Sequence, residues 1–145
     1  MADYVGANFD EGEMIGEGII ITCKAGEAIT KGRLVKLSDA TDMSVVTATA
    51  KSNVLGVAMK AALAAGEYIP VCVRGEVKMK LGTVTGTLAA GSAVCSNANG
   101  LPEALADQGV NEGGTATYTI YYNAKAGITL QSGVTGDLIR VLVGK

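Results

Sequence analysis

Histidine and tryptophan are absent from this sequence, phenylalanine occurs once (Phe9) and proline twice. Without histidine there is no Ser/His or Cys/His nucleophilic pair, and the commonest general base and metal ligand are both missing. The three cysteines, Cys23, Cys72 and Cys95, are odd in number and widely spaced. That suits neither a disulfide framework nor a zinc knuckle, so buried free thiols are expected. No stretch approaches ~20 uncharged apolar residues, and residues 1–14 lack a basic region followed by an apolar run. The expectation is an unsecreted, soluble protein made in a reducing cytoplasm. A net charge of −2, from 12 basic and 14 acidic residues, gives no indication of a nucleic-acid or membrane partner.

What the chain does contain is glycine, 20 residues of 145, together with abundant Ala, Thr and Val, and it is 48% apolar. Many short strands joined by glycine turns use residues in this way, and the length fits one all-β domain. Charge is unevenly placed: Met1–Glu17 holds five acids and no Lys or Arg, whereas residues 18–145 hold 12 basic and 9 acidic side chains. Two readings of residues 1–17 stand side by side, a flexible arm that orders against a partner or its own body, and a solvated, frayed terminus.

The body, residues 18–145, repeats itself. Ile29, Gly32 and Val35 are spaced like Leu88, Gly91 and Val94, an offset of 59, and Gly66, Ile69, Val71 and Val73 recur as Gly136, Ile139, Val141 and Val143, an offset of 70. Two degenerate units of about 60 residues, 18–81 and 82–145, are each too small to bury a satisfactory core, so they are expected to share one domain. The extra residues of the second unit are assigned to Asn99–Gly114, read as loop with one helical turn at Pro102–Ala106, the only short helix expected. In a period-two strand Ile69, Val71 and Val73 share one face, as do Ile139, Val141 and Val143; this matched face is the predicted core. The opposite faces differ, Tyr68, Pro70 and Cys72 against Leu138, Arg140 and Leu142, and their apolar members are expected to meet another subunit. Pro70 lacks an N–H, which predicts an edge strand or a bulge there.

Few stretches invite chemistry. Lys60 in "VAMKA" and Lys80 in "EVKMKL" resemble the modified lysine of biotinyl or lipoyl carrier domains, but neither stretch completes the Ala/Met/Lys/Met turn. A carrier or other small ligand-binding β module is the alternative function. "QGVNEGGTAT", Gln108–Thr117, lacks the residues of a phosphate cradle, and Asp10, Glu11, Glu13 and Glu17 do not follow a calcium-loop pattern. Asp39 and Asp42 read as turn residues, and so do Glu67 and Asp137, which occupy equivalent repeat positions. No catalytic or metal-binding residue and no cofactor is nominated; the class is structural or binding, not enzymatic.

The succession "AGEAITKGRLVKL", "NVLGVAMKAALAAGEYIPVCVRGEV", "TLAAGSAV" and "TGDLIRVLVG" resembles the small capsid decoration, or cement, proteins of tailed bacteriophages. The pattern falls on Gly32, Gly56–Ala58, Gly66–Val73 and Gly136–Val143; the second unit shows no clear counterpart of Gly-Val-Ala, and "ATYTIYYNAKAG" stands in its place. The resemblance implies a β-barrel or β-tulip fold and a homotrimer on the outside of the virion's icosahedral head, partnered by the major capsid protein. It also implies that the arm, with Asp3, Tyr4, Phe9, Asp10, Glu11 and Glu13, attaches to the capsid, and that Tyr68, Leu138 and Leu142 are candidates for the trimer contact.

Overall fold

A computed structural model describes residues 9–38, 43–106 and 124–144. Nine strands follow one another: β1 Ile19–Ala25, β2 Leu34–Leu37, β3 Ser44–Thr47, β4 Val54–Ala58, β5 Tyr68–Lys80, β6 Ala93–Ser96, β7 Pro102–Ala104, β8 Gly127–Thr129 and β9 Leu138–Val143. They hydrogen-bond in the order β1-β3-β2-β4-β5-β9-β8-β6-β7, and β1 also pairs with β5. That last pairing closes β1-β3-β2-β4-β5 into a five-stranded barrel, with the remaining strands continuing from the far half of β5. No α-helix occurs among the described residues, and the all-β barrel expectation holds.

Corresponding positions of the two halves make corresponding hydrogen bonds. Gly66 N–H donates to the Ala25 carbonyl at 2.8 Å, and Gly136 N–H to that of Leu81 at 2.9 Å. Gly32 N–H donates to Ala58 at 2.8 Å, and Gly91 N–H to Thr129 at 2.7 Å. Met59 N–H donates to Pro70 at 2.9 Å, and Leu130 N–H to Arg140 at 2.8 Å. Glu67 and Asp137 play the same part: each carboxylate accepts the backbone N–H three residues earlier, from Ala64 at 2.7 Å and Val134 at 2.9 Å. Glycine is required at four of these corners because φ is positive, 88° at Gly32, 85° at Gly91, 98° at Gly66 and 88° at Gly136.

These equivalences give β5 a double role. Its first half pairs with β1, with Tyr68 opposite Lys24, and its second half pairs with β9, with Lys80 opposite Leu138. The first half of β5 therefore corresponds to β9, and the second half corresponds to β1. One unbroken strand serves both units, which ties them more rigidly than a loop would.

Two apolar clusters result. One fills the barrel with Cys23, Val35, Val45, Ala58, Ile69 and Val71. The other lies between the barrel and the second unit; Val77, Met79, Val94, Ile139, Val141 and Val143 meet Leu34, Val57 and Cys72 from the barrel's outer side. The matched Ile/Val faces are core as expected, except that Val73 is only half-buried. Each buried Ile or Val contributes about 1.5–3 kcal/mol relative to exposure.

Four expectations need correction. Pro102–Ala104 is a strand, not a helical turn: Asn97 Oδ1 accepts the N–H groups of Asn99 and Leu101 at 2.8 and 3.0 Å, closing a hairpin that pairs Ser96 with Pro102. One isolated turn has too few hydrogen bonds to offset helix nucleation, and the hairpin prevails. The extra length consequently falls after β7 rather than from Asn99. Pro70 is on neither an edge strand nor a bulge; β5 runs between β1 and β4, and the registered ladder with β4 stops at Val71, the residue after Pro70, so the missing N–H costs no ladder bond. Cys72 is buried, as expected of a free thiol, but the second unit covers its face where another subunit was expected. The expected loop at Gln108–Thr117 and the turn residues Asp39 and Asp42 lie outside the described residues.

Candidate functional site

The described part of the acidic segment lies along β5. Gly12 N–H donates to the Lys78 carbonyl at 2.7 Å, Lys78 N–H to Glu13 at 3.0 Å and Ile15 N–H to Glu76 at 2.8 Å, so residues 12–15 continue the line of β1 along one edge of β5. Ile15 is buried, Phe9, Glu11 and Glu13 are half-buried, and Asp10 and Glu17 are exposed. Gly12 packs against Gly32, leaving no room for a side chain at either position. Asp3 and Tyr4 lie outside the described residues.

The three apolar candidates do not form one patch. Leu138 is opposite Lys80 and Leu142 opposite Glu76 on adjacent strands, so these two leucines share the outer face of β9. Tyr68 sits at the other end of β5, twelve residues from Lys80, or roughly 40 Å at strand rise. Tyr68 is 68% exposed, Leu138 41% and Leu142 43%.

Two neighbours of Leu142 escaped sequence reasoning. Ile128 is directly opposite it on β8, and Leu130, 40% exposed, follows on the same face. Arg140 pairs with Glu76 at the centre of this face. Beside it a cleft of about 440 Å³ is lined by Arg74, Lys125, Gly127, Ile128, Leu142 and Gly144. A signal existed: Gly127-Ile128-Thr129 is the counterpart of Gly56-Val57-Ala58, which corrects the reading that this segment has no equivalent. Its ladder partners settle the matter, Val57 opposite Cys72 and Ile128 opposite Leu142.

All three thiols are buried and free, and burial pushes each pKa up; at Cys95 the Glu103 carboxylate adds to the rise, while at Cys72 a hydrogen bond to the Arg74 carbonyl opposes it. Protonated, buried thiols are poor nucleophiles. Lys80 ends β5 and Lys60 stands in the bend after β4, both exposed. Among the described residues no three His, Cys, Asp or Glu side chains gather as a metal site.

The family model described as phage cement protein matches residues 14–144. The chain belongs to the phage cement protein family. As a cement protein it is a structural component associated with the phage head. A similar solved structure is the N base of the head fiber gp8.5 of bacteriophage phi29, with a TM-score of 0.60 and 15% identity over 87% of this chain and 93% of that one. At that identity the likeness carries the fold alone. No curated relative matches this cement protein.

Proposed function

We propose that this cement protein binds the outer surface of the mature icosahedral head as a homotrimer and stabilises the shell. The observation that carries the reading is the family match across residues 14–144, which spans both units and reaches into the acidic segment. A protein that binds only the assembled shell raises the free energy of shell disruption by mass action. Three weak contacts on one trimer act together through high effective concentration, so no single contact has to be strong. The major capsid protein is the partner in this reading, and the stretch from Asp3 to Glu13 makes the attachment.

The test is co-sedimentation with empty, expanded heads, together with native mass in solution. The full-length chain is expected to pellet with heads and to have the mass of three copies. Deletion of residues 2–8 is expected to weaken retention about tenfold or more if the two outermost contacts are lost from each of three arms. Full-length protein that stays in the supernatant would overturn the function, and unchanged retention of the truncated protein would remove Asp3 and Tyr4 from the attachment.

A further inference from the structure

The two units bury their equivalent faces differently. In the first, Leu34, Val57 and Cys72 lie side by side across β2, β4 and β5 and are 1%, 0% and 0% exposed, because the second unit packs on them. In the second, the same row is Ala93, Ile128 and Leu142 across β6, β8 and β9. Among the described residues this row is less covered: Leu142 is 43% exposed, and Leu130 and Leu138 extend the apolar area. A contiguous aliphatic face rimmed by charge is how association surfaces are built.

We infer that this outer face of β6, β8 and β9 seats a second copy of the chain, in a head-to-tail contact with the acidic segment Asp10–Glu17 of that copy. The inference rests on the homotrimer reading above. Charge decides the arrangement. Among the described residues the face carries Arg74, Lys78, Lys80, Lys125 and Arg140 against Glu76 and, on β7, Glu103, so placing it on itself would oppose like charges. Asp10, Glu13 and Glu17 lie in a strip along the neighbouring edge of β5, with Lys31 the basic side chain beside Gly12. Gly18 touches the backbone of Arg74 and Gly75, so the strip and the basic rim lie side by side on one molecule. Complementary patches that are different but adjacent make a heterologous contact, which can close into a ring. The aliphatic floor supplies burial, and the rim sets the direction of the contact.

Native mass and sedimentation of three variants test it. Leu142→Asp places a charge on an exposed position, so the fold, monitored by far-UV circular dichroism, is expected to persist while association weakens about thirtyfold or more. Lys125→Glu is expected to weaken association and Lys125→Glu with Glu17→Lys to restore it, whereas Tyr68→Asp, at the far end of β5, leaves the trimer intact. A trimeric wild type whose Leu142→Asp variant is also trimeric overturns the assigned face but leaves the trimer reading standing. A Leu142→Asp variant that stays trimeric yet no longer pellets with heads gives the face to the shell protein and overturns the inference. A monomeric wild type that still pellets removes the trimer reading itself, and the inference falls with it.

Discussion

At the scale of single residues the repeat makes a paired prediction. A Cβ built on Gly56 would stand 2.2 Å from the Cys72 carbonyl oxygen, and one on Gly127 would stand 2.1 Å from that of Leu142. Neither glycine has positive φ, so the demand is for close approach of backbones, β4 to β5 and β8 to β9, rather than for a left-handed conformation. Alanine at either site must spread a strand pair; the expected loss is about 1–3 kcal/mol in urea unfolding, similar for Gly56→Ala and Gly127→Ala. Gly66→Ala is the contrast, since φ is 98° and no atom lies within 4 Å of the added methyl. There the cost is backbone strain alone, about 1–2 kcal/mol. Wild-type stability in Gly127→Ala would contradict the close pairing of β8 with β9.

At the scale of elements the edge of β5 matters most. Unpaired strand edges recruit other chains, and residues 12–15 occupy that edge opposite Glu76–Lys78 while burying Ile15. The two truncations should therefore behave differently. Deleting residues 2–8 keeps residues 12–15 on that edge and is expected to lower the thermal midpoint less. Deleting residues 2–17 removes a buried isoleucine and three backbone hydrogen bonds to β5, and is expected to lower stability by about 2–5 kcal/mol and to promote aggregation, read by calorimetry and light scattering. Equal midpoints for the two truncations would mean that residues 12–15 contribute nothing to the fold. Much of this architecture was legible in the sequence. The glycine corners and the Ile/Val/Val strands repeat at fixed offsets because the same hydrogen bonds recur in both units. What was not legible has a common cause in non-local pairing. The destiny of Pro102–Ala104 is decided by Asn97 and β6, the tolerance of Pro70 by where β4 ends, and the identity of what covers Cys72 by a unit that follows it in the chain. For the same reason Leu142 and Leu138 could be singled out as apolar positions on a varying face, while Ile128 became visible only once β8 was paired with β9.

At the scale of the molecule the two units cannot be energetically separate. Leu34, Val57 and Cys72 come from the barrel but belong to the cluster built on Val77, Met79, Val141 and Val143 of the second unit, and β5 runs through both. Opening the second unit would expose the barrel's outer side, and opening the barrel would strip one wall from the second core. A single cooperative transition follows. The three native cysteines report on it from different places: Cys23 inside the barrel, Cys72 between the units and Cys95 in the second unit. All three are buried, and the raised pKa keeps them protonated in the fold, so the protection of each is lost only on opening. Because the folded-state pKa lies above the ordinary thiol value, this contribution to stability is fully present below that ordinary value and is lost as pH rises through the folded-state one. Pulsed alkylation along a urea series at neutral pH, read by peptide mass spectrometry, is expected to label Cys23, Cys72 and Cys95 with one shared midpoint. Labelling of Cys95 at distinctly lower urea than Cys23 would show a second unit that opens alone, and the shared core would then not couple the halves. A shell clamp benefits from the coupled behaviour, because a load applied at the second unit has to break the barrel's contacts as well before either half yields.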